Sequence, residues 1–220
     1  MPAKTCRVLL VDDHQMVREG LHGILARSER VEVVGEAGDG LEAIEKVAET
    51  SPDVVIMDVG LPRMNGIEAT RAITTEHGDV KVIALSAYSD SRYVINMLQA
   101  GAMGYVLKDS ASAELLRAVD AVLGGHQYLS PEITGVVLTR CVPGVGEGES
   151  SAFSLLGARE REVLQRIAEG ATTAKIAEQL FIAPKTVETH RRNIMRKLGV
   201  RTIAGLTKYA VREGLTSLDD

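Results

Sequence analysis

The chain has 220 residues and a formal net charge of −5, with 45% hydrophobic and 25% charged residues. This composition is that of an ordinary globular protein, and it excludes collagen-like, disulfide-rich and long disordered chains. At roughly 100–200 residues per domain, the length fits one large domain or two small ones.

Charge is unevenly distributed along the chain. Residues 1–130 contain 12 Lys/Arg and 19 Asp/Glu, which gives −7, whereas residues 131–220 contain 13 and 11, which gives +2. Within 171–212, nine basic residues accompany only Glu178 and Glu188, which gives +7. Such asymmetry is typical of a protein with a polyanionic partner, although a solvated helix face would give the same count.

The first 125 residues alternate between short β-branched runs and segments with helical spacing. Continuous apolar runs such as Val54–Met57 are typical of parallel strands that are buried on both faces. The predicted strands cover 7–11, 31–36, 54–57, 81–85 and 104–107, and the predicted helices cover 14–26, 40–49, 65–76, 90–100 and 112–123. Five strands alternating with five helices predict a doubly wound α/β sheet with right-handed crossovers. Asn65 is expected to cap the third helix, and Gly101 and Gly124 to form left-handed helix ends.

Acidic residues stand where two of these strands end. Asp12 and Asp13 follow the first strand directly, and Asp58 ends the third. In such a sheet, ligands bind beyond the carboxyl ends of the strands at the topological switch point, so we expect the three carboxylates to meet in one crevice. Carboxylate oxygens in such a place suit Mg²⁺. The alternative is that these acids only cap loops.

Ser86 and Lys108 end the fourth and fifth strands at the same edge. A metal ion, a hydroxyl and an ammonium group around three oxygens are what a phosphoryl group requires. Asp58 is then best interpreted as a nucleophile that forms an acyl phosphate.

The pattern changes after Gly125. Ser130-Pro131 predicts an N-cap and first residue of a short helix over about 131–140. The following segment, 143–151, is rich in glycine and without periodicity, which predicts a flexible linker. Cys6 and Cys141 are too few for a disulfide framework and lack metal-ligand spacing. No apolar run approaches the roughly 18 residues of a membrane span, so we expect a cytoplasmic protein without a membrane partner.

The C-terminal part is predicted to be entirely helical. The expected helices cover 160–168, 172–180, 185–198 and 202–213. The second and third of these form a helix, a short turn and a helix. The third presents one apolar face and one cationic face, which fits the major groove of DNA better than a plain solvated surface does.

Four motifs resemble bacterial two-component response regulators: VDDH from Val11, MDVGLPRMNG from Met57, LSA from Leu85 and GYVLK from Gly104. The resemblance implies that Asp58 accepts phosphate from a sensor histidine kinase and that Mg²⁺ is bound by Asp12, Asp13, Asp58 and the backbone carbonyl of Gly60. It further implies that Ser86 and Lys108 sense the phosphoryl group and that the rotamer of Tyr105 reports activation. Relatives often carry a side chain such as Asn at the position of Gly60, and many have a proline after Lys108. His14 is expected to cap the first helix.

Three further segments, 156–164, 176–180 and 185–200, resemble the LuxR-type helix-turn-helix. Together, the two resemblances place the chain in the NarL/FixJ-like group. They imply a flavodoxin-like, doubly wound, five-stranded parallel receiver domain over 1–125, a linker with a short helix over 126–151, and a small all-α helix-turn-helix domain over 152–220. The recognition helix would begin near Pro184, and the last helix would form the contact of an active homodimer. Gly157 and Ala183 stand where relatives carry capping hydroxyls, so each of these helix starts is expected to lack the hydrogen bond from an N-cap side chain.

The residues expected to contact double-stranded promoter DNA are Lys185, Thr186, Glu188, Thr189, Arg191, Arg192, Arg196 and Lys197. We expect Glu188 and Arg192 to carry base preference, because a carboxylate can accept from cytosine N4. Lys185, Arg191, Arg196 and Lys197 are expected to contact mainly phosphates.

The sequence therefore predicts a transcriptional regulator controlled by phosphorylation, and not an enzyme beyond assisting its own phosphotransfer and dephosphorylation. Two alternatives remain open. A flavodoxin-like electron carrier would need a phosphate-binding loop and aromatic rings, whereas this chain has an acidic rim and no Trp. A protein-interaction adaptor would use the helical bundle to bind a partner protein.

Overall fold

A computed structural model describes residues 5–87, 89–141 and 155–216. The chain divides into two compact units, residues 1–146 and 147–220. Among the described residues, no helix combines the length and the apolar character that a membrane crossing requires.

The described part of the first unit contains a parallel six-stranded sheet in the order β2-β1-β3-β4-β5-β6. Its strands are β1 (Cys6–Val11), β2 (Val31–Ala37), β3 (Val54–Asp58), β4 (Lys81–Ser86), β5 (Gly104–Leu107) and β6 (Tyr128–Leu129). Its helices are α1 (Gln15–Leu25), α2 (Gly40–Thr50), α3 (Gly66–Glu76), α4 (Ser91–Gln99), α5 (Ala111–Leu123) and α6 (Pro131–Cys141). The doubly wound α/β fold is confirmed. Strand β3 lies at its centre, and residues 54–57 are completely buried, as their apolar run predicts.

The prediction of five strands is wrong by one. The sixth strand, β6, pairs in parallel with β5 through Gly104–Tyr128 and Tyr105–Leu129. With only two residues, β6 is too short to produce a period in the sequence, and its pairing depends on the neighbouring strand. The predicted linker therefore begins with a strand and a helix that belong to the first unit. Its later residues, 142–151, lie outside the described part of the chain.

Most of the predicted helix ends agree with the structure. The Asn65 side chain caps α3 by accepting from the amide of Glu68 at 3.0 Å. Gly101 follows α4 with a φ of 104°, as expected of a left-handed end. The expectation for Gly124 is wrong by one residue. Its N–H donates to the Asp120 carbonyl and so continues the hydrogen-bond pattern of α5, and its φ is −75°. Gly125 takes the left-handed conformation instead, with a φ of 78°.

The described part of the second unit contains α7 (Ala158–Ala168), α8 (Thr173–Gln179), α9 (Pro184–Leu198) and α10 (Ile203–Arg212). Their apolar faces share one core, which includes Val163, Leu164, Ile176, Ile194 and Leu206. Helix α9 begins at a proline without a side-chain cap at Ala183, as predicted, and ends at Gly199 in the left-handed conformation. Helices α8 and α9 with the turn between them form the helix-turn-helix.

Candidate functional site

The carboxyl ends of four strands carry the candidate phosphoryl site. Asp58 is the last residue of β3 and Ser86 the last of β4, while Asp12 and Lys108 directly follow β1 and β5. Because β1, β3, β4 and β5 are consecutive neighbours in the sheet, their ends lie side by side. The structure thus brings these four predicted residues to one crevice at the switch point of the sheet.

Lys108 joins two of the carboxylates. Its Nζ lies 2.8 Å from Oδ2 of Asp58 and 2.8 Å from Oδ2 of Asp12. Asp12 is completely buried and Asp58 is 5% exposed, so both carboxylates depend on partners inside the protein. The ammonium group compensates the repulsion between two buried negative charges.

A ring of oxygen and nitrogen atoms at this edge could hold a metal ion. One ligand atom from each of Asp12, Asp13, His14 and Asp58 lies within 4.8 Å of the others. Carboxylate oxygens that converge in this way, two of them from buried residues, fit a hard divalent cation. The amide of Gly60 lies 3.4 Å from Oδ1 of Asp58, which places the loop after β3 beside the same carboxylate.

His14 differs from its prediction. It occupies the N-cap position of α1, but its side chain makes no capping bond. Its Nδ1 lies 2.8 Å from Oδ1 of Asp13 instead, and its backbone N–H donates to Oδ1 of Asp12 at 2.9 Å. The His14 imidazole, although mostly exposed, thus lies beside the two preceding carboxylates.

The electrostatics of the crevice oppose full ionisation of Asp58. Burial raises the pKa of Asp58, the Lys108 ammonium lowers it, and the Asp12 carboxylate raises it again, so that the pKa lies above its usual value. Burial lowers the pKa of Lys108, but the attraction of Asp58 and Asp12 outweighs burial and raises it. The crevice therefore favours the charged form of Lys108, and a further positive charge would stabilise the ionised carboxylates.

Ser86 and Tyr105 form a buried pair behind the crevice. Both side chains are completely buried. Burial raises the pKa of the Tyr105 hydroxyl, which also forms a hydrogen bond with Ser86. The hydroxyl expected to contact the phosphoryl group is thus in direct contact with the aromatic residue expected to report activation.

The loop from β3 to α3 is held by contacts that the sequence did not predict. A Cβ atom on Gly66 would lie 1.9 Å from the carbonyl oxygen of Asp58, so only glycine fits there. Arg63 has a φ of 60°, in the left-handed region, and its guanidinium forms an ion pair with the buried Asp39, which caps α2. The sequence contains Asp39-Gly40 as a helix-start signal, but no local pattern links it to Arg63.

Helix α9 carries the candidate DNA contacts on its exposed side. Val187 and Ile194 face the core, as predicted. Six of the predicted DNA-contact residues are exposed: Lys185, Thr186, Thr189, Arg192, Arg196 and Lys197. The cationic and apolar faces thus separate as the spacing indicates.

Three of the predicted DNA contacts, Glu188, Arg191 and Lys197, form ion pairs inside the second unit. Glu188 accepts from the Thr173 hydroxyl at 2.9 Å and from Arg191 at 2.6 Å, which links α8 to α9. Lys197 donates to Glu160 on α7 at 2.6 Å. These side chains therefore help to set the positions of the helices.

The comparisons with known proteins agree in both halves of the chain. Residues 8–120 match the response regulator receiver domain, and residues 154–210 match the luxR family of bacterial regulatory proteins. The transcriptional regulatory protein LiaR of Bacillus subtilis (strain 168) is 43% identical over 211 residues, which cover 96% of this chain and 99% of LiaR. The oxygen regulatory protein NreC of Staphylococcus carnosus (strain TM300) is 38% identical over 213 residues, covering 95% and 98%.

Solved structures show the same similarity. The RcsB response regulator of Salmonella typhimurium has a TM-score of 0.59 at 26% identity, covering 95% of this chain and 99% of the RcsB chain. A structure of an RcsB–DNA complex has a TM-score of 0.60 at 25% identity, covering 96% and 99%. The response regulator ChrA of a heme-sensing two-component system has a TM-score of 0.53 at 34% identity, covering 96% and 98%.

Proposed function

Because the chain belongs to the response regulators that join a receiver domain to a LuxR-type DNA-binding domain, we propose that phosphorylation of Asp58 controls how tightly it binds promoter DNA. Its class is that of a DNA-binding transcriptional regulator. The contact of Lys108 with both Asp58 and Asp12 is the observation that carries the proposal, because it places a cation beside a nucleophilic carboxylate.

The proposed phosphotransfer uses the residues of the crevice. A carboxylate oxygen of Asp58 attacks the phosphorus of a phosphohistidine on a sensor kinase, so that an O–P bond forms while the N–P bond breaks and its electron pair returns to the histidine. Lys108 then exchanges its contact with the carboxylate for one with a phosphoryl oxygen, and Ser86 donates a hydrogen bond to another. Mg²⁺, held by Asp12, Asp13, Asp58 and the carbonyl of Gly60, would supply positive charge that offsets the charge of the transferred group.

The proposed switch is a shift between two receiver conformations. A phosphoryl group can favour one conformation only if it interacts better with that conformation. The hydrogen bond between Ser86 and Tyr105 supports such a preference, because a change in the Ser86 hydroxyl alters the environment of a buried aromatic side chain.

In this proposal α9 binds in the major groove, and the phosphorylation state of the receiver controls that contact. Arg192 and Glu188 are the proposed base-reading residues, and Lys185, Arg191 and Arg196 are the proposed phosphate contacts, with Thr186 and Thr189 beside them. Lys197, which is paired with Glu160, is proposed to contribute less to phosphate binding. The active form is a proposed homodimer that uses α10, in line with the RcsB dimers bound to DNA. A regulator of promoters works at the chromosome, so the cytoplasm is its proposed location.

The test is the DNA affinity of the full chain with and without acetyl phosphate. We expect the wild type to bind promoter DNA more tightly after phosphorylation and Asp58→Ala to show no gain. Asp79→Ala removes an exposed carboxylate from the same unit and should keep the wild-type gain. An unchanged gain in Asp58→Ala would refute the proposal.

A further inference from the structure

Ser130, between β6 and α6, connects three elements of the first unit. Its hydroxyl donates to Oε2 of Glu114 at 2.5 Å and accepts from the amide of Leu107 at 3.2 Å. Its backbone N–H donates to the Tyr105 carbonyl at 2.9 Å, and its own carbonyl accepts from the amide of Ile133 at 2.8 Å. One completely buried residue thus joins β5, α5 and the first turn of α6.

Glu114 is the second member of this junction. It lies in the first turn of α5 and is 5% exposed. Its carboxylate accepts the hydrogen bond of the Ser130 hydroxyl, and burial together with the nearby Glu114 carboxylate raises the pKa of Tyr128 in β6. A buried carboxylate is costly to leave without its hydrogen-bond donor, so the bond between Glu114 and Ser130 holds α5 and the start of α6 at a fixed distance.

The junction is directly attached to the proposed switch. The backbone of Tyr105 bonds to Ser130 while its side chain bonds to Ser86. Leu107, whose amide bonds to the Ser130 hydroxyl, immediately precedes Lys108. A displacement of Lys108 toward a phosphoryl group therefore acts on the hydrogen bonds that Ser130 makes with β5.

The other side of the junction is α6. This helix begins at Pro131, packs against α4, and buries Ile133 completely. Along the chain, α6 leads from the receiver toward the second unit, which begins at residue 147. The sequence predicted the helix start at Ser130-Pro131 but no role for the Ser130 hydroxyl beyond a cap, whereas the structure directs this hydroxyl to α5 and β5.

We infer that Ser130 and Glu114 are positioning residues that transmit the phosphorylation state of Asp58 from the end of β5 to α6. They act after phosphotransfer, because neither touches Asp58 or the metal-binding carboxylates. The inference rests on the proposed function, since it names the path by which the same site reaches the output domain.

The test separates phosphorylation from its effect on DNA binding. Three full-length variants are compared with the wild type: Ser130→Ala, Glu114→Gln and the control Ser110→Ala. Ser110 is the last residue of a short 3-10 helix, Lys108–Ser110, that precedes α5, and its side chain makes no capping bond. Three quantities are measured: the phosphorylated fraction by intact-protein mass after acetyl phosphate, the gain in DNA affinity, and the hydrogen exchange of residues 131–141 with and without beryllofluoride.

We expect Ser130→Ala and Glu114→Gln to be phosphorylated like the wild type, while their gain in DNA affinity shrinks by roughly 2- to 30-fold. The exchange of α6 should respond to beryllofluoride in the wild type and in Ser110→Ala but not in the two junction variants. Glu114→Gln keeps the size of the side chain and the Ser130 hydroxyl, so it provides the test if Ser130→Ala does not fold.

Two results would overturn the inference. One is a phosphorylated junction variant whose gain in DNA affinity equals that of the wild type, which would show that the signal takes another path. The other is loss of phosphorylation in both variants, which would assign the junction to building the site. A failure of the proposed function looks different, because the wild type itself would then show no gain.

Discussion

The ammonium nitrogen of Lys108 lies 2.8 Å from a carboxylate oxygen of Asp58. The same nitrogen is equally close to Asp12, so one protein cation serves both buried carboxylates. Any divalent cation that these carboxylates bind must share them with Lys108. Lysine and metal thus compensate the same negative charge, and their effects on stability should depend on each other.

Replacing Lys108 by alanine should destabilise the receiver and increase its response to Mg²⁺. Without the ammonium group, Asp12 and Asp58 are left facing each other, at a cost of about 1–3 kcal/mol in the free energy of unfolding. Thermal unfolding in EDTA and in Mg²⁺ measures both effects. Lys46→Ala, which removes a solvent-exposed ion pair with Glu49, should leave stability nearly unchanged. Equal Mg²⁺ stabilisation in wild type and Lys108→Ala would contradict the shared role.

Asp58→Asn should make the protein more stable in Mg²⁺-free buffer, on the order of 1 kcal/mol. The pKa of Asp58 is raised by burial and by Asp12, even against Lys108, so its ionised form costs stability at neutral pH. That cost disappears as pH falls through the raised pKa, because the Asp58 carboxyl group is protonated in the folded state before it is protonated in the unfolded state. Denaturant unfolding from pH 7 downward should therefore show the advantage of Asp58→Asn shrinking. An advantage that grows toward acid pH would contradict this sign.

Glu160 should contribute to stability with the opposite dependence on pH. Burial raises its pKa, but hydrogen bonds from Lys197 and from the Gly157 amide outweigh burial, and the net pKa is lowered. Its contribution is fully present above the ordinary pKa of a glutamate and is lost as pH falls through the lowered value. We expect Glu160→Gln to cost about 1 kcal/mol at pH 7 and progressively less toward pH 3. A loss that is independent of pH would exclude the ion pair and the cap as its cause.

Arg63 offers a test of backbone strain in the loop between β3 and α3. Arg63→Gly and Arg63→Ala both remove the ion pair with Asp39, but only glycine adopts a φ of 60° without strain. Arg63→Gly should therefore be more stable than Arg63→Ala by about 1 kcal/mol in urea unfolding. Asp39→Asn keeps a side chain that can cap α2 and isolates the loss of the ion pair. Equal stability of the glycine and alanine variants would mean that the loop does not keep this conformation.

The sequence predicts the strand ends well because an apolar run stops where the chain leaves the buried sheet. The positions of Asp12, Asp58, Ser86 and Lys108 follow from that rule. Features that depend on distant partners were missed. Strand β6 exists because β5 lies beside it, and the Ser130 hydroxyl was not expected to bond to Glu114.

In the second unit, the two faces of α9 follow from helical spacing, but the partners of its charged side chains do not. Glu188 lies 15 residues from Thr173 along the chain, and Lys197 lies 37 residues from Glu160. Such pairs form only when separate helices pack together. A count of charges therefore predicts a basic surface without telling which cations are already engaged.

Lys185 and Lys197 should accordingly differ in their effect on DNA binding. Lys185 is exposed at the start of α9. Lys185→Ala should therefore lower the affinity similarly for all DNA sequences, and it should reduce the slope of log affinity against log salt concentration by about 1. Lys197 is paired with Glu160, so Lys197→Ala should mainly lower the stability of the second unit, with a much smaller change in slope. Affinities measured across a series of salt concentrations, with thermal unfolding of the same variants, distinguish the two roles. A full unit of slope lost in Lys197→Ala would show that Lys197 leaves Glu160 for a phosphate when DNA binds.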